Sequence, residues 1–187
     1  MAKRVIVSGV MGAIVLIIWA FVANALLGLR SGIDMRSVSN ERQVYDVLRD
    51  NIVAPGGYIV NPPPSQSGDL VPGQPVFSIR YSGVGHEAAG RILIMQIVIA
   101  LIASLMAAGM LSVTSDRVMA SYLRRVLFFA AIGLLFAFFS DLALFGIGGY
   151  PLRSALLLAG NDLISWTLVG LVVARWVRPR PHHGVAV

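Results

Sequence analysis

The chain has 187 residues, 57% hydrophobic and 13% charged, where a soluble domain carries about a quarter charged residues. It has no cysteine, which excludes disulfides, thiolate nucleophiles, Cys-ligated zinc, iron–sulfur clusters and thiol-oxidoreductase chemistry. Fourteen arginines and one lysine set a net charge of +6, and their positions read as membrane-topology signals, with no need for nucleic acid as a partner.

The first element is the apolar run "VIVSGVMGAIVLIIWAFVANALL" at 5–27. About 20 helical residues cross a bilayer's hydrocarbon core, so this run is expected to be transmembrane helix 1. The preceding "MAKR" and the small-x-small Ala23-Asn24-Ala25 also suit a cleaved signal peptide. A signal peptide's apolar stretch is about 7–15 residues, and this longer run favours an uncleaved anchor. Cleavage would leave three spans with the same sidedness.

Residues 28–90 change character and are expected to form a small periplasmic or extracellular cap. "SNERQVYDVLRDNI" reads as a short amphipathic helix. Asn40 and Gln43 have capping-box spacing, and Val44, Val47, Leu48 and Ile52 follow at helical intervals. Pro55, Gly56 and Gly57 end it, and "YIV" suits a short strand. "NPPPSQSGDLVPGQP" is a Pro/Gly/Ser-rich link. "PVFSIRYSG" alternates as a second strand does. So few apolar side chains bury little core alone, so the cap is expected to lean on the membrane, the helix ends or a partner.

Three closely spaced apolar runs follow, at 92–113, 126–147 and 152–174, expected as transmembrane helices 2, 3 and 4. A backbone in lipid must satisfy its own hydrogen bonds, which requires helices. Gly146, Gly148 and Gly149 with Pro151 predict a tight turn between the last two. Residues 175–187 form a polar tail. The fold class expected is an all-α membrane protein, a four-transmembrane-helix bundle with a small α+β cap between helices 1 and 2.

Charge predicts the orientation. Lys3, Arg4, Arg117, Arg124, Arg125, Arg175, Arg178 and Arg180 face one acidic residue, Asp116, on one side. The 28–90 segment holds five basic residues against six acidic ones. The positive-inside rule then puts both termini and the 114–125 connection in the cytoplasm. The basic ends would also contact anionic lipid heads.

This order, an N-terminal anchor, an outer helix ending in "NIVAPGGYIVNP", a second strand-like stretch and three close spans, resembles a group of uncharacterised bacterial four-span membrane proteins of similar length. The resemblance implies the same topology and location in the bacterial cytoplasmic (inner) membrane, and lends no mechanism. Claudin-like and tetraspanin-like proteins share the layout but depend on outer cysteines, which this chain lacks.

Two carboxylates interrupt the last two runs. Asp141 lies about six residues, or roughly 9 Å, from the outer end of its run, and Asp162 about ten, or roughly 15 Å. Asn24, Gln96 and Asn161 also fall in the outer half of their runs. The inner half offers only small hydroxyls such as Ser8 and Ser112. An ionised carboxylate in mid-membrane costs about 2.5–3.5 kcal/mol on insertion scales. The expectation is therefore a polar site near the outer face, built from Asn24, Gln96, Asp141, Asn161 and Asp162. Arg91 and Arg153 at the span borders have stems long enough to bend toward it.

Three readings of these polar residues stay open: interhelical hydrogen bonding, worth about 0.6 kcal/mol each, a ligand, ion or proton site, and contact with a partner subunit. Ser8 and Gly12, Ser104 and Ala108, and Gly133 and Ala137 have small-xxx-small spacing, which allows close helix packing and suits a homo-oligomer equally. His86-Glu87 reads as a solvated interfacial pair, because no second outer histidine completes a metal site. His182-His183 reads as part of a disordered tail. No Ser-His-Asp set, HExxH or phosphate-loop pattern occurs, and no cofactor is expected. The first functional reading is an accessory or structural subunit that binds a membrane protein partner within the lipid bilayer. The alternatives are a small transporter or channel using Asp141 and Asp162 as a cation or proton site, and an interfacial membrane enzyme.

Overall fold

A computed structural model of the chain describes residues 2–34, 36–63, 73–147 and 149–177. The middle of the Pro-rich link, Gly148, and the tail with Arg178, Arg180 and His182-His183 lie outside the described residues.

Four helices are long and apolar enough to cross a membrane. The first is α1 (Ala2–Phe21), extended by a π-helical turn, Val22–Leu26. A short α2 (Leu29–Asp34) follows. The second long helix is α4 (Ala89–Ser112), entered through a 3₁₀ turn at His86–Ala88. After the one-turn α5 (Asp116–Met119) comes α6 (Tyr122–Phe136), which ends in a second π-helical turn, Ala137–Asp141. The fourth is α7 (Leu152–Trp176). None of these long helices contains a proline, which would remove a backbone donor and break the ladder.

Between α2 and α4 lies a small α+β unit. It holds α3 (Glu41–Asn51), β1 (Gly56–Val60) and β2 (Phe77–Tyr81). The strands pair antiparallel with Tyr58 opposite Ile79. Asn40 takes the N-cap position of α3, but its side chain makes no cap hydrogen bond. The Val44 N–H bonds the Asn40 carbonyl instead, at 3.0 Å. Val44 and Val47 are exposed and Leu48 and Ile52 half-buried, so the apolar face of α3 is only partly covered.

The long helices pack in the order α4–α1–α7–α6, and α4 and α6 barely meet. Small residues set the closest approaches. A side chain at Gly12 would strike Ser104 Oγ on α4 and come within 3.1 Å of Val169 and 3.0 Å of Val173 on α7. Gly12 is thus the point where three helices converge. Gly133 on α6 lies against the backbone of Asp162 and Leu163 on α7, both 3.0 Å from where its Cβ would stand. All six small-xxx-small residues, Ser8, Gly12, Ser104, Ala108, Gly133 and Ala137, are buried within this one chain.

These crossings define two ends. At one end stand the start of α1, the α4–α6 connection and the end of α7, with Lys3, Arg4, Arg117, Arg124 and Arg175. At the other stands the cap. The apolar core occupies the basic half: Ala107, Ala108 and Leu111 of α4 meet Phe129 of α6 and Val169 and Val173 of α7. Toward the cap the bundle opens. Every residue of α4 from Arg91 to Ile99 is exposed, on all faces of the helix.

The lateral surface is apolar. Ile6, Ile18, Leu93, Ile94, Met106, Leu135 and Phe138 each expose more than half of their surface. Soluble monomers rarely expose apolar patches beyond a few hundred Å². Helices of this length with this exterior have lipid as their natural solvent.

Candidate polar site

The cap half of the bundle holds a polar seam between α1, α7 and the π-helical turn that ends α6. Its anchor is a side-chain bond across helices. The Trp19 indole N–H on α1 donates to Asn161 Oδ1 on α7 at 3.0 Å. That bond fixes the amide, whose Nδ2 turns toward Asp162 Oδ1 at a long 3.5 Å. One turn deeper, the Ser165 hydroxyl donates to the Asn161 backbone carbonyl at 2.6 Å. Asp162 itself is half-buried.

Asp141 closes the π-helical turn Ala137–Asp141, which packs on α7. A π turn inserts an extra residue and re-aims the side chains after it, and such turns are frequent at functional sites. Here Ala137 and Asp141 face inward while Phe138, Phe139 and Ser140 face outward. Asp141 is only 8% exposed. Its Oδ2 is enclosed and accepts no hydrogen bond.

The two carboxylates stand at different depths. Gly133 meets α7 at Asp162, and Asp141 lies two helical turns beyond Gly133, so roughly 12 Å nearer the cap at the helical rise. Asp141 and Asp162 remain within electrostatic reach of one another, and Arg30 on α2 lies within reach of both. Nearer the core the seam is sealed. Trp166 is buried and stacks on Phe136, with ring centroids 5.7 Å apart, and the close-packed Phe129, Val169 and Val173 lie beyond.

Of the expected site, Asn161 and Asp162 stand together on α7, Asp141 lies nearer the cap on the π-helical turn that packs on α7, and the others lie apart. Asn24 is exposed in the first π-helical turn, and its Nδ2 donates to the Ala20 carbonyl of its own helix at 2.9 Å. Gln96 is exposed on the open half of α4 and makes no side-chain hydrogen bond among the described residues. Arg91 and Arg153 are exposed at the cap end. The cation close enough to act on both carboxylates electrostatically is Arg30 instead. Glu87 Oε1 accepts from the Gly85 N–H at 3.0 Å, a local turn contact with no metal-binding geometry.

Two further residues carry weight. Trp19 lies inside the first apolar run, and only the interhelical pairing reveals its donor role. Arg125 counts as a topology cation in the sequence, yet its side chain is buried. Its Nε donates to the Ala174 carbonyl at 3.1 Å and its Nη1 to the Met119 carbonyl at 2.6 Å. These carbonyls end α7 and α5, where helices leave acceptors unpaired and cations are favoured.

Among the described residues no cluster of three or more metal-ligating side chains occurs. Surface depressions lie on exposed α3, around Asn40, Gln43 and Asp46, and beside Tyr122 and Trp176, away from the seam. No family model, curated protein or solved structure matches this chain.

Proposed function

We propose that the chain is a multi-pass protein of the bacterial cytoplasmic membrane, with both ends cytoplasmic and the cap outside, that serves as an accessory or structural subunit for a membrane partner. One observation carries this reading: the cap half of α4 projects from the bundle with all its faces uncovered, Gln96 among them. A polar amide facing lipid lacks a partner for its hydrogen-bonding groups, and a neighbouring helix from a larger protein supplies one. The small-residue faces are already used inside the chain, which leaves the open half of α4 as a long stretch exposed on every face. The partly covered α3 and the two-stranded sheet offer a second contact outside it.

The test is site-specific photo-crosslinking in native membranes from Ile94 and Gln96 on α4, with Phe138 as a control on the far side. Protein adducts from Ile94 and Gln96 but not from Phe138 support the proposal. Lipid adducts alone from all three positions overturn it.

A cation transporter remains the second reading, favoured by the enclosed, unpartnered carboxylate oxygen of Asp141. The close-packed apolar core beneath the seam argues against an open channel through this conformation.

A further inference from the structure

We propose that the groove between the start of α6 and the end of α7 binds the headgroup of one anionic phospholipid. The groove has a volume of about 450 Å³ and is lined by Tyr122 of α6 and by Leu171, Val172, Arg175 and Trp176 of α7. Its chemistry is graded along the helix axis. Arg175 and Trp176 stand at the end of α7, and Leu171 and Val172 lie about one turn deeper, roughly 6 Å toward the middle of the span. A cation and aromatic rings at the membrane border, above an apolar floor, match a phosphate headgroup above its acyl chains. Tyr122 is held across the groove. Its hydroxyl donates to the Leu171 carbonyl at 2.8 Å, which ties the first turn of α6 to α7 and fixes the ring as one wall.

Charge selects an anion. Arg175 is exposed and, among the described residues, forms no ion pair and no side-chain hydrogen bond, so its guanidinium is free for a ligand. Lys3, Arg4, Arg117, Arg124 and Arg125 at the same end outnumber the one acid described there, Asp116. The end of α7 is also made tolerant of negative charge. Carbonyls that end a helix carry partial negative charge, and here the Val173 carbonyl accepts from the Val177 N–H at 3.1 Å and the Ala174 carbonyl from the buried Arg125 at 3.1 Å. Diffuse attraction of a basic end to acidic membranes needs no pocket; the groove adds a place that holds one lipid. A free phosphate has no chains for Leu171 and Val172 to cover, so the occupant is a lipid. The inference rests on the long helices lying in lipid, and not on a partner at the cap half of α4, at the opposite end of the bundle.

The test uses the full chain reconstituted in phosphatidylcholine vesicles that carry a minor fraction of brominated phosphatidylglycerol or brominated phosphatidylcholine. Bromine on the acyl chain quenches nearby tryptophan, and the difference between the wild type and Trp176→Phe isolates Trp176 from Trp19 and Trp166. Phosphatidylglycerol should quench Trp176 with a preference of roughly fivefold over phosphatidylcholine, about 1 kcal/mol. Arg175→Gln should bring that ratio close to one, and Arg175→Glu should take it below one. Lys3→Gln should keep the full preference, because α7 lies between α1 and α6 in the packing order. Inorganic phosphate, replacing chloride at constant ionic strength, should leave the quenching unchanged. Equal quenching by the two lipids in the wild type, equal losses in Lys3→Gln and Arg175→Gln, or displacement by phosphate overturns the inference. A chain that does not float with the vesicles overturns the membrane reading and this site with it. A chain that floats and shows no preference overturns this site alone and leaves crosslinking at α4 unaffected.

Discussion

Trp19 on α1 donates its indole N–H to the side-chain oxygen of Asn161 on α7, 3.0 Å away, across 142 residues of sequence. This bond ties the anchor helix to the central helix at the level of the carboxylates. A double-mutant cycle with Trp19→Phe and Asn161→Leu should give a coupling of about 0.6–1.7 kcal/mol in bicelles, the range known for interhelical bonds in lipid. Additive effects of the two changes would show that the pairing contributes nothing.

Gly12 and Ser104 form a compensating pair. A methyl at Gly12 collides with Ser104 Oγ, so Gly12→Ala should destabilise by about 1–3 kcal/mol, as overpacking does. Ser104 Oγ is buried and makes no hydrogen bond. Ser104→Ala alone should therefore be neutral or slightly stabilising, since it removes an unsatisfied group. The double variant should recover most of the Gly12→Ala loss. Unfolding midpoints in one detergent for all four proteins provide the comparison, and a double variant no better than Gly12→Ala would refute this packing.

Arg125 joins the ends of α5 and α7 with two charge-assisted bonds. Arg125→Met should cost about 3 kcal/mol, because a hydrogen bond to a charged group is worth about 1.5–3 kcal/mol. Arg125→Lys should recover only part of it, since an ammonium lacks the planar fork that reaches both carbonyls. Equal stability of the Lys variant and the wild type would reduce Arg125 to a topology signal.

Leu93 and Ile94 separate assembly from stability. Both are exposed on the open half of α4, at 62% and 63%. Alanine there should leave the isolated chain within about 0.5 kcal/mol of wild type, as for surface positions, while reducing crosslinking to the partner. A large loss of stability would mean that this half of α4 packs within the chain after all.

Much of this architecture was legible in the sequence, and the reasons differ by feature. The four long helices follow from apolar runs of bilayer length. The strands around Tyr58 and Ile79 follow from turn residues and alternation. Ser8, Gly12, Ser104, Ala108, Gly133 and Ala137 were visible by spacing, though spacing cannot say whether such faces meet within one chain or between copies. The carboxylates announced themselves by chemistry, because an acid in an apolar run is costly. Their surroundings did not. Arg30 lies far from both in sequence, and nothing in its segment's pattern relates it to them. Arg125 resembled its neighbour Arg124 until the end of α7 was seen to abut it. Asn24 and Gln96 shared the right depth but face away from the seam, since depth along a helix says nothing about which side a residue occupies relative to its neighbours. The two π turns have no recognised signature in composition.

The central claim is that lipid surrounds the four long helices, with the cap on one side and the α4–α6 connection on the other. The chain has no native cysteine, so single cysteines at Ser78 in β2 and at Ser115 before α5, both exposed, report without background. In sealed vesicles of known sidedness, a membrane-impermeant maleimide should label position 78 only from the outside and position 115 only from the inside. Labelling of both positions from the same side would contradict the account.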